Sequence, residues 1–268
     1  MDNHSKLLAD GRVKDKVAVI TGAGSGIGRA AALKLAKHGA KIVLLDLIDG
    51  RSEKVEEAIR EMGAEALFID TDVADPARVE KAMQEAADRF GRIDILFANA
   101  GVNGTLAPIE EMNPEDWDQT LGINLKGTFL SVKYVLPHMT AWGGSIIITS
   151  SINGNRKFKG FGMSAYSSSK AGQVAFAKMA ALELARHRIR VNAICPGAIE
   201  TNIGQNTNRT PEVSEIVIPV EYPQGNQPLE RGPGQPEQVA DLVLFLASEE
   251  SSHISGTEVY IDGVESLL

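Results

Sequence analysis

Short apolar runs rich in β-branched residues alternate with longer amphipathic runs along most of this chain. Residues 16–21 (KVAVIT) predict a strand buried on both faces, and residues 26–38 predict a helix that ends at Gly39. Strands that are apolar throughout and separated by helices are typical of a parallel sheet covered on both sides. We therefore predict a single α/β domain with a doubly wound parallel sheet. The predicted strands are 16–21, 41–46, 66–70, 93–98, 145–149, 190–195 and 258–261, and the predicted helices are 26–38, 51–62, 76–90, 114–139, 164–187 and 236–247.

The composition narrows the classes of partner. The 268 residues are 43% hydrophobic, enough for one large core, and the formal net charge is −8. An acidic chain is poorly suited to nonspecific nucleic-acid or lipid binding, because both depend on clusters of Lys and Arg. The lone Cys195 excludes an intrachain disulfide, and the five histidines show no metal-binding spacing. We expect no metal, no nucleic-acid partner, no membrane partner and a cytoplasmic location, with 1–15 as an N-terminal extension and 16–268 as the domain.

One long segment interrupts the alternation. Residues 202–227 carry Asn, Pro, Gln and Gly with little periodicity, and they follow the sixth predicted strand. A loop of this length in a compact domain is usually functional, and the carboxyl edge of such a sheet is where ligands bind. We predict that this segment closes over a substrate.

A glycine-rich turn joins the first strand to the first helix, with Gly22, Gly26 and Gly28 in the stretch TGAGSGIG. Glycines let the chain turn sharply and bring backbone N–H groups close to a pyrophosphate, which the positive end of the helix dipole also attracts. Asp46 ends the second strand, where a carboxylate can accept hydrogen bonds from both ribose hydroxyls and would repel a 2′-phosphate. The pattern predicts a Rossmann-like site that prefers NAD, although nearby Arg51 could turn toward a 2′-phosphate.

Tyr166 and Lys170 are four residues apart in a predicted helix, so they share one face. A free tyrosine has a pKa of roughly 10, and a nearby cation favours the phenolate. The pair therefore predicts a proton donor and acceptor for a hydroxyl/carbonyl couple. Ser151 ends the fifth predicted strand at the same edge of the sheet, where its hydroxyl can orient the reacting oxygen.

The glycine spacing resembles the T-G-x-x-x-G-x-G signature of the short-chain dehydrogenases/reductases, and Tyr166 with Lys170 resembles their Y-x-x-x-K pair. The resemblance extends over about 13–263, with several motifs in the family's order. In this family the catalytic serine usually lies 13 residues before the tyrosine; here Ser151 lies 15 before it, and Asn153 lies at 13. We prefer Ser151, because it stands in the family's S-S-x-x-G context and two extra loop residues are easily accommodated.

The resemblance implies roles for the remaining motifs. Asn124 is expected to hold a water that contacts the Lys170 ammonium and opens a proton path to solvent. Asn99-Ala100-Gly101 is similar to the end of the family's N-N-A-G, with Ala98 replacing the first Asn. The stretch 196–201 is similar to P-G-x-x-x-T, in which the backbone at Ile199 and the Thr201 hydroxyl would hold the nicotinamide carboxamide. The predicted catalytic residues are Asn124, Ser151, Tyr166 and Lys170, and the predicted cofactor-binding residues are Gly22, Ser25, Gly26, Ile27, Gly28, Asp46, Leu47, Asp72, Val73, Asn99, Ala100, Gly101, Tyr166, Lys170, Pro196, Gly197, Ile199 and Thr201.

These features together predict hydride transfer between NAD(H) and a secondary alcohol or ketone, with a sugar, polyol or hydroxy acid as the small-molecule substrate. Arg156, Lys157 and Lys159 follow Ser151 and could attract an anionic or acyl-carrier-linked substrate, so 3-oxoacyl-thioester reduction is an alternative reaction. The same three residues could instead form a solvated basic loop with no role in substrate binding. A dinucleotide-sensing regulator without turnover is the alternative from another class. The resemblance further implies a homotetramer.

Overall fold

A seven-stranded parallel sheet in the order β3-β2-β1-β4-β6-β7-β9 forms the centre of the molecule. The computed structural model describes residues 11–47, 50–158, 160–216 and 226–268. The strands are β1 (Val17–Thr21), β2 (Lys41–Asp46), β3 (Ala66–Asp70), β4 (Ile95–Ala98), β5 (Gly104–Leu106), β6 (Gly144–Thr149), β7 (Ile189–Pro196), β8 (Thr207–Arg209) and β9 (Glu258–Ile261). The helices are α1 (Gly26–Lys37), α2 (Arg51–Glu61), α3 (Pro76–Phe90), α4 (Pro114–Leu121), α5 (Gly127–Val135), α6 (Ser164–Leu184) and α7 (Pro236–Ala247).

Helices cover both faces of this sheet. Every residue of β1 is buried, as its uninterrupted apolar sequence predicts. On one face α1, α2 and α7 pack on the strands, with Leu35 and Val243 in the shared core. On the other face α3, α5 and α6 pack, with Leu130 and Ala177 in a second core. The predicted fold class, a Rossmann-like single domain with helices on both faces, is confirmed.

The ends of α3 illustrate how local sequence sets the element boundaries. Asp75 accepts hydrogen bonds from the backbone N–H groups of Ala77 (2.9 Å) and Arg78 (3.3 Å), and Pro76 occupies the first helical position. Gly91 ends the helix with a φ of +82°, a conformation that glycine adopts without a Cβ clash. Such signals explain why this helix was predicted at the same residues.

The predicted helical stretch over 114–139 is helical from 114 to 138, but it is not one regular α-helix. The stretch contains α4, a π-helical turn at Gly122–Lys126, α5 and a short 3-10 turn at Leu136–His138. The buried side chain of Gln173 on α6 donates to the backbone carbonyl of Asn124 (2.9 Å), a group that a regular helix would use internally. An inserted side chain of this kind loosens the helical hydrogen-bond ladder and is a recognised cause of such turns.

The described part of the segment 202–227 contains more regular structure than its composition predicts. It contains 3-10 turns at Asn202–Asn206 and Pro211–Glu215, and between them β8 pairs in parallel with β5. Neither short strand was predicted, because three residues carry no periodicity. Residues 217–225, which include Tyr222, and Lys159 lie outside the described residues.

Residues 11–15, which were assigned to the N-terminal extension, pack against the domain. Val13 is buried and donates its N–H to the carbonyl of His38 (3.3 Å), and Arg12 forms an ion pair with Glu250. Within the described ranges, no helix has the length and apolar character needed to cross a bilayer. The same part of the chain holds no group of three or more His, Cys, Asp or Glu side chains arranged for a metal ion.

Candidate active site

A cavity of about 630 Å³ lies at the carboxyl ends of β1, β2, β4, β6 and β7. This is the edge at which the strand order reverses between β1 and β4, the usual ligand position in such folds. All predicted site residues line the cavity except Gly28 and Asn124, which lie behind its wall. The topology therefore brings together residues that are distant in sequence.

The glycine-rich turn is packed so tightly that side chains are excluded. A Cβ on Gly28 would lie 2.0 Å from the carbonyl oxygen of Gly22. Gly22 itself has a φ of +67°, and a Cβ there would lie 2.8 Å from the Cα of Ala100. The Asn99 side chain holds the turn in place, because its Nδ2 donates to the carbonyls of Thr21 (3.2 Å) and Gly22 (3.3 Å).

The start of α1 opens onto the cavity, since Ser25, Gly26 and Ile27 line it. A helix N-terminus next to a turn without side chains leaves room for a pyrophosphate and attracts its charge. The residues present therefore fit a dinucleotide. The glycine-rich turn and the helix start that form this part of the cavity are the elements that the sequence predicted for pyrophosphate binding.

Acidic residues stand at the end of the cavity that an adenosine would occupy. The Asp46 carboxylate accepts hydrogen bonds from the backbone N–H groups of Gly24 (2.7 Å) and Leu47 (2.9 Å), which fix its position. Asp72 accepts from the N–H of Ala74 (2.9 Å) and so also shapes the turn after β3. Arg51 lines the same end of the cavity.

Ser151, Tyr166 and Lys170 meet at the other end of the cavity. Ser151 follows β6, and its hydroxyl accepts from the N–H of Asn153 (3.2 Å) and opposes the rise that burial causes in the pKa of the nearby Tyr166 phenol. Lys170 lies one turn along α6, with Nζ 5.6 Å from the centre of the Tyr166 ring, and donates to the carbonyl of Thr149 (2.8 Å). Ser151 and Asn153 both line the cavity, so the choice of Ser151 as the catalytic residue stays a prediction.

Burial governs the protonation of this group. It raises the pKa of the Tyr166 phenol, and the hydrogen bond from Ser151 opposes that rise. It lowers the pKa of Lys170 to about 8, against a weaker opposing influence of Cys195. The sequence argument expected the ammonium to bring the pKa of Tyr166 down; in the cofactor-free protein the loss of hydration is the larger effect.

Asn124 lies in the π-helical turn and is fully buried. Its side chain accepts from the N–H of Val102 (2.9 Å) and donates to the carbonyl of Val102 (2.9 Å) and to Ser169 Oγ (3.0 Å). A Cβ on Gly101 would lie 3.1 Å from Asn124 Oδ1 and 3.4 Å from Lys170 Nζ. Gly101 thus keeps the space between these two polar groups open.

The stretch after β7 forms the wall opposite the glycine-rich turn. Pro196, Gly197, Ile199 and Thr201 line the cavity, and a Cβ on Gly26 would lie 3.1 Å from the Thr201 side chain. The glycine-rich turn and the stretch after β7 therefore face each other as two walls of the predicted cofactor site.

Of the basic residues after Ser151, Lys157 does not lie as the substrate hypothesis required, whereas Arg156 is exposed. Lys157 is buried against Glu265, and Arg156 stacks on the ring of Tyr260 at 3.4 Å. Glu265 was not predicted from the sequence, where its only signal was its place shortly after the last predicted strand, 258–261. The sequence argument also missed other cavity-lining residues: Asn103, Ile123, Met163 and Asn206.

Comparison with known proteins agrees with this geometry. A family model described as enoyl-(acyl carrier protein) reductase matches residues 22–263. Levodione reductase of Leifsonia aquatica is 39% identical over 261 residues, covering 95% of this chain and 96% of that protein. The crystal structure of a 3-ketoacyl-ACP reductase from Sinorhizobium meliloti 1021 superposes with a TM-score of 0.89 at 44% identity, covering 94% of this chain and 99% of that one. Carveol dehydrogenase from Mycobacterium avium, solved in complex with NAD, superposes with a TM-score of 0.85 at 28% identity, covering 96% of this chain and 100% of that one.

The chain belongs to the short-chain dehydrogenase/reductase family. It is an oxidoreductase that acts on CH–OH groups and the corresponding carbonyls.

Proposed function

We propose that this protein is an NAD-dependent dehydrogenase of small secondary alcohols. The observation that carries the proposal is the grouping of Ser151, Tyr166 and Lys170 in the wall of one cavity, at the opposite end from Asp46. A dinucleotide whose adenosine ribose meets Asp46 would place its nicotinamide at the reacting end.

Each side chain of the proposed catalytic group has a separate task. Tyr166, as phenolate, takes the hydroxyl proton during oxidation and returns it during reduction. Ser151 hydrogen-bonds the reacting oxygen and orients it toward the phenol. Lys170 holds the nicotinamide ribose and favours the phenolate by its charge. Bound NAD supplies the hydride acceptor at its nicotinamide ring, and the positive charge of that ring adds to the charge that favours the phenolate.

Proton movement beyond Tyr166 rests on Lys170 and Asn124 in this proposal. Asn124 Oδ1 and Lys170 Nζ both lie beside Gly101, within 3.1 and 3.4 Å of the position a Cβ would take there, so a larger residue would crowd both polar groups. Asn124 is positioned by both backbone groups of Val102 and by the π-helical turn, so it acts without rearrangement. In this relay the Lys170 ammonium would give a proton to the water held by Asn124, and the resulting amine would take up the proton that Tyr166 releases, which restores the ammonium.

The preference for NAD over NADP rests on Asp46. Its carboxylate is held by two backbone N–H groups, so it cannot readily turn away from a 2′-phosphate, which it would repel. The relative solved with NAD supports the same choice. Arg51 is the residue that would contact a 2′-phosphate if the preference were reversed.

A sugar, polyol or hydroxy-acid alcohol is the proposed substrate class. Amide side chains at Asn103 and Asn206 line the cavity and can both donate to and accept from hydroxyl groups. The second candidate is 3-oxoacyl-thioester reduction, which the similarity to the Sinorhizobium meliloti enzyme favours. The burial of Lys157 against Glu265 favours the smaller alcohol, because this cation is not presented to an anionic carrier.

We further propose that the protein is a homotetramer and that it is located in the cytoplasm. Phe129 on α5 and Met179 and Leu182 on α6 are exposed apolar residues, on the helices that family members commonly pack between subunits. Light scattering of the purified protein tests the assembly: a tetramer mass supports it, and a monomer mass contradicts it.

Titration with NADH and NADPH tests the proposed cofactor, with nicotinamide fluorescence as the signal. We expect NADH to bind about tenfold or more tightly than NADPH, the effect of one repelled phosphate near a fixed carboxylate. The variant Asp46→Ala should lose that preference, whereas Asp88→Ala, on the exposed face of α3, should keep it. Tighter binding of NADPH by the wild type would contradict the role of Asp46 and move a biosynthetic reductase to first place.

A further inference from the structure

A buried carboxylate, Glu265, forms part of the cavity wall just after the last strand. It is 3% exposed and begins the 3-10 turn Glu265–Leu267. Its Oε2 accepts from the backbone N–H of Ala198 (3.0 Å) and from Gln227 Nε2 (3.1 Å), and its Oε1 accepts from Asn226 Nδ2 (3.2 Å). A carboxylate away from water needs such donors, because burying its charge is costly. One side chain thus joins the C-terminal turn to two segments that border the cavity.

Lys157 provides the opposite charge. It is 6% exposed, its Nζ donates to the backbone carbonyl of Glu265 (2.6 Å), and the same Nζ lies 3.8 Å from Glu265 Oε1. Lys157 comes from the segment between Ser151 and Tyr166, the segment in which this chain is two residues longer than the family spacing. The longer segment therefore carries the cation that balances the buried carboxylate.

Strained backbone directs Glu265 inward. Val264 has a φ of +71°, in the left-handed region where a β-branched residue is a genuine outlier. Asp262 holds the strained turn by accepting from the N–H groups of Val264 (3.2 Å) and Ser266 (2.8 Å). Strain of this kind persists only where the surrounding structure enforces it, and it concentrates at functional sites.

The peptide that Glu265 holds precedes the backbone expected to bind the nicotinamide carboxamide. The carbonyl of Ala198 accepts from the N–H of Gly234 (3.0 Å), and the N–H of Glu200 donates to the carbonyl of Gly234 (2.9 Å). These two hydrogen bonds form an isolated parallel β-bridge between Ile199 and Gly234. In a parallel bridge the residues on either side of Ile199 make the hydrogen bonds, so the N–H and C=O of Ile199 itself point away from Gly234. Ile199 lines the cavity. A backbone donor and acceptor side by side match a primary amide.

We infer that Glu265, balanced by Lys157, is a positioning residue that fixes the Ala198–Ile199 backbone for the nicotinamide carboxamide. The inference rests on the proposed function. The carboxylate holds the N–H of Ala198 from one side, while Gly234 and Gln227 hold its carbonyl from the other. With both groups of Ala198 held, the next residue presents its N–H and C=O in one orientation.

Binding of NADH and of ADP-ribose tests this role, because ADP-ribose shares every part of NADH except the nicotinamide. The variant Glu265→Gln replaces one acceptor oxygen with a donor, so it cannot accept every hydrogen bond that the carboxylate accepts. We expect it to weaken NADH binding about tenfold, the effect of one misaligned hydrogen-bonded pair, and to leave ADP-ribose binding nearly unchanged. Glu265→Leu should weaken NADH binding further, and Glu65→Gln, which removes an exposed carboxylate paired with Lys41, should change neither.

Thermal melting separates positioning from simple stabilisation. Lys157→Met should lower Tm and weaken NADH binding, and the charge-balanced double variant K157M/E265Q should recover Tm without recovering NADH affinity. Equal weakening of NADH and ADP-ribose in Glu265→Gln, or recovery of NADH affinity together with Tm in the double variant, would show a purely structural role and overturn the inference. Wild-type affinity for NADH in Glu265→Gln would overturn it too while leaving the proposed function intact. A wild type that binds neither ligand would overturn both.

Discussion

Replacing Lys170 with Met should make the protein more stable while removing its activity. Burial lowers the pKa of Lys170 from 10.5 to about 8. Each pH unit between these values corresponds to about 1.4 kcal/mol, so keeping the ammonium in this site destabilises the fold by about 3 kcal/mol at neutral pH. Methionine fills a similar volume without the charge, but it leaves the carbonyl of Thr149 without its 2.8 Å hydrogen bond, a loss of about 1–3 kcal/mol. The expected net gain is therefore up to about 2 kcal/mol.

The direction of the pH dependence follows from the lowered pKa. Below a pH of about 8 Lys170 is charged in both states, and the destabilisation is fully present. Between about 8 and 10.5 the unfolded chain binds more protons than the folded one, so wild-type stability rises with pH. The advantage of Lys170→Met should therefore narrow across this window.

Urea unfolding of the cofactor-free protein at neutral pH and near pH 10 measures both effects. Lys81→Met, at an exposed position of α3, is the matched control and should show neither. A Lys170→Met variant that is less stable than the wild type at neutral pH, or whose advantage does not shrink with rising pH, would refute the reasoning.

Three further predictions concern the turn after β1, the C-terminal turn and the catalytic pair. Gly28→Ala should abolish NADH binding in a fluorescence titration, because its Cβ would lie 2.0 Å from a carbonyl oxygen, whereas Gly232→Ala, with no atom near its added Cβ, should bind normally. Val264→Gly should relieve roughly 1–2 kcal/mol of left-handed backbone strain, part of which should appear as a higher free energy of unfolding and a higher urea midpoint. A lower urea midpoint would contradict this prediction. The rate of alcohol oxidation should rise with pH, because burial raises the pKa of Tyr166 and oxidation needs the phenolate. The rate of carbonyl reduction, which needs the phenol, should fall with pH. Rates that change with pH in the same direction would contradict this assignment.

The sequence predicted the sheet, its covering helices and most of the site because those features have local signals. The apolar strands and the capped helix α3 can be recognised from a few adjacent residues, and the glycine-rich turn needs its glycines for steric reasons visible in the spacing. The π-helical turn could not be predicted, because the hydrogen bond that Gln173 donates to its Asn124 carbonyl comes from another helix, in addition to the one from Thr128 nearby.

The other misses have the same physical origin. β5 and β8 are three residues each and exist only because they pair with each other across a long separation in sequence. Lys157 looked like a surface cation, since nothing near it in sequence shows that Glu265 lies beside it. The pKa of Tyr166 depends on its burial, a tertiary property that the Tyr–Lys spacing does not contain.

Turnover and cofactor binding by Tyr166→Phe, measured side by side, test the central claim most directly. The assay follows NADH formation from NAD and a panel of neutral secondary alcohols and hydroxy acids, and in parallel titrates NADH. The wild type should oxidise at least one alcohol, while Tyr166→Phe should keep its NADH affinity and lose oxidation by about a thousandfold, the upper range for one proton-transferring group. A wild type that binds NADH but turns over no alcohol or carbonyl would favour the dinucleotide sensor, and a Tyr166→Phe variant with wild-type turnover would contradict the catalytic role proposed for this tyrosine.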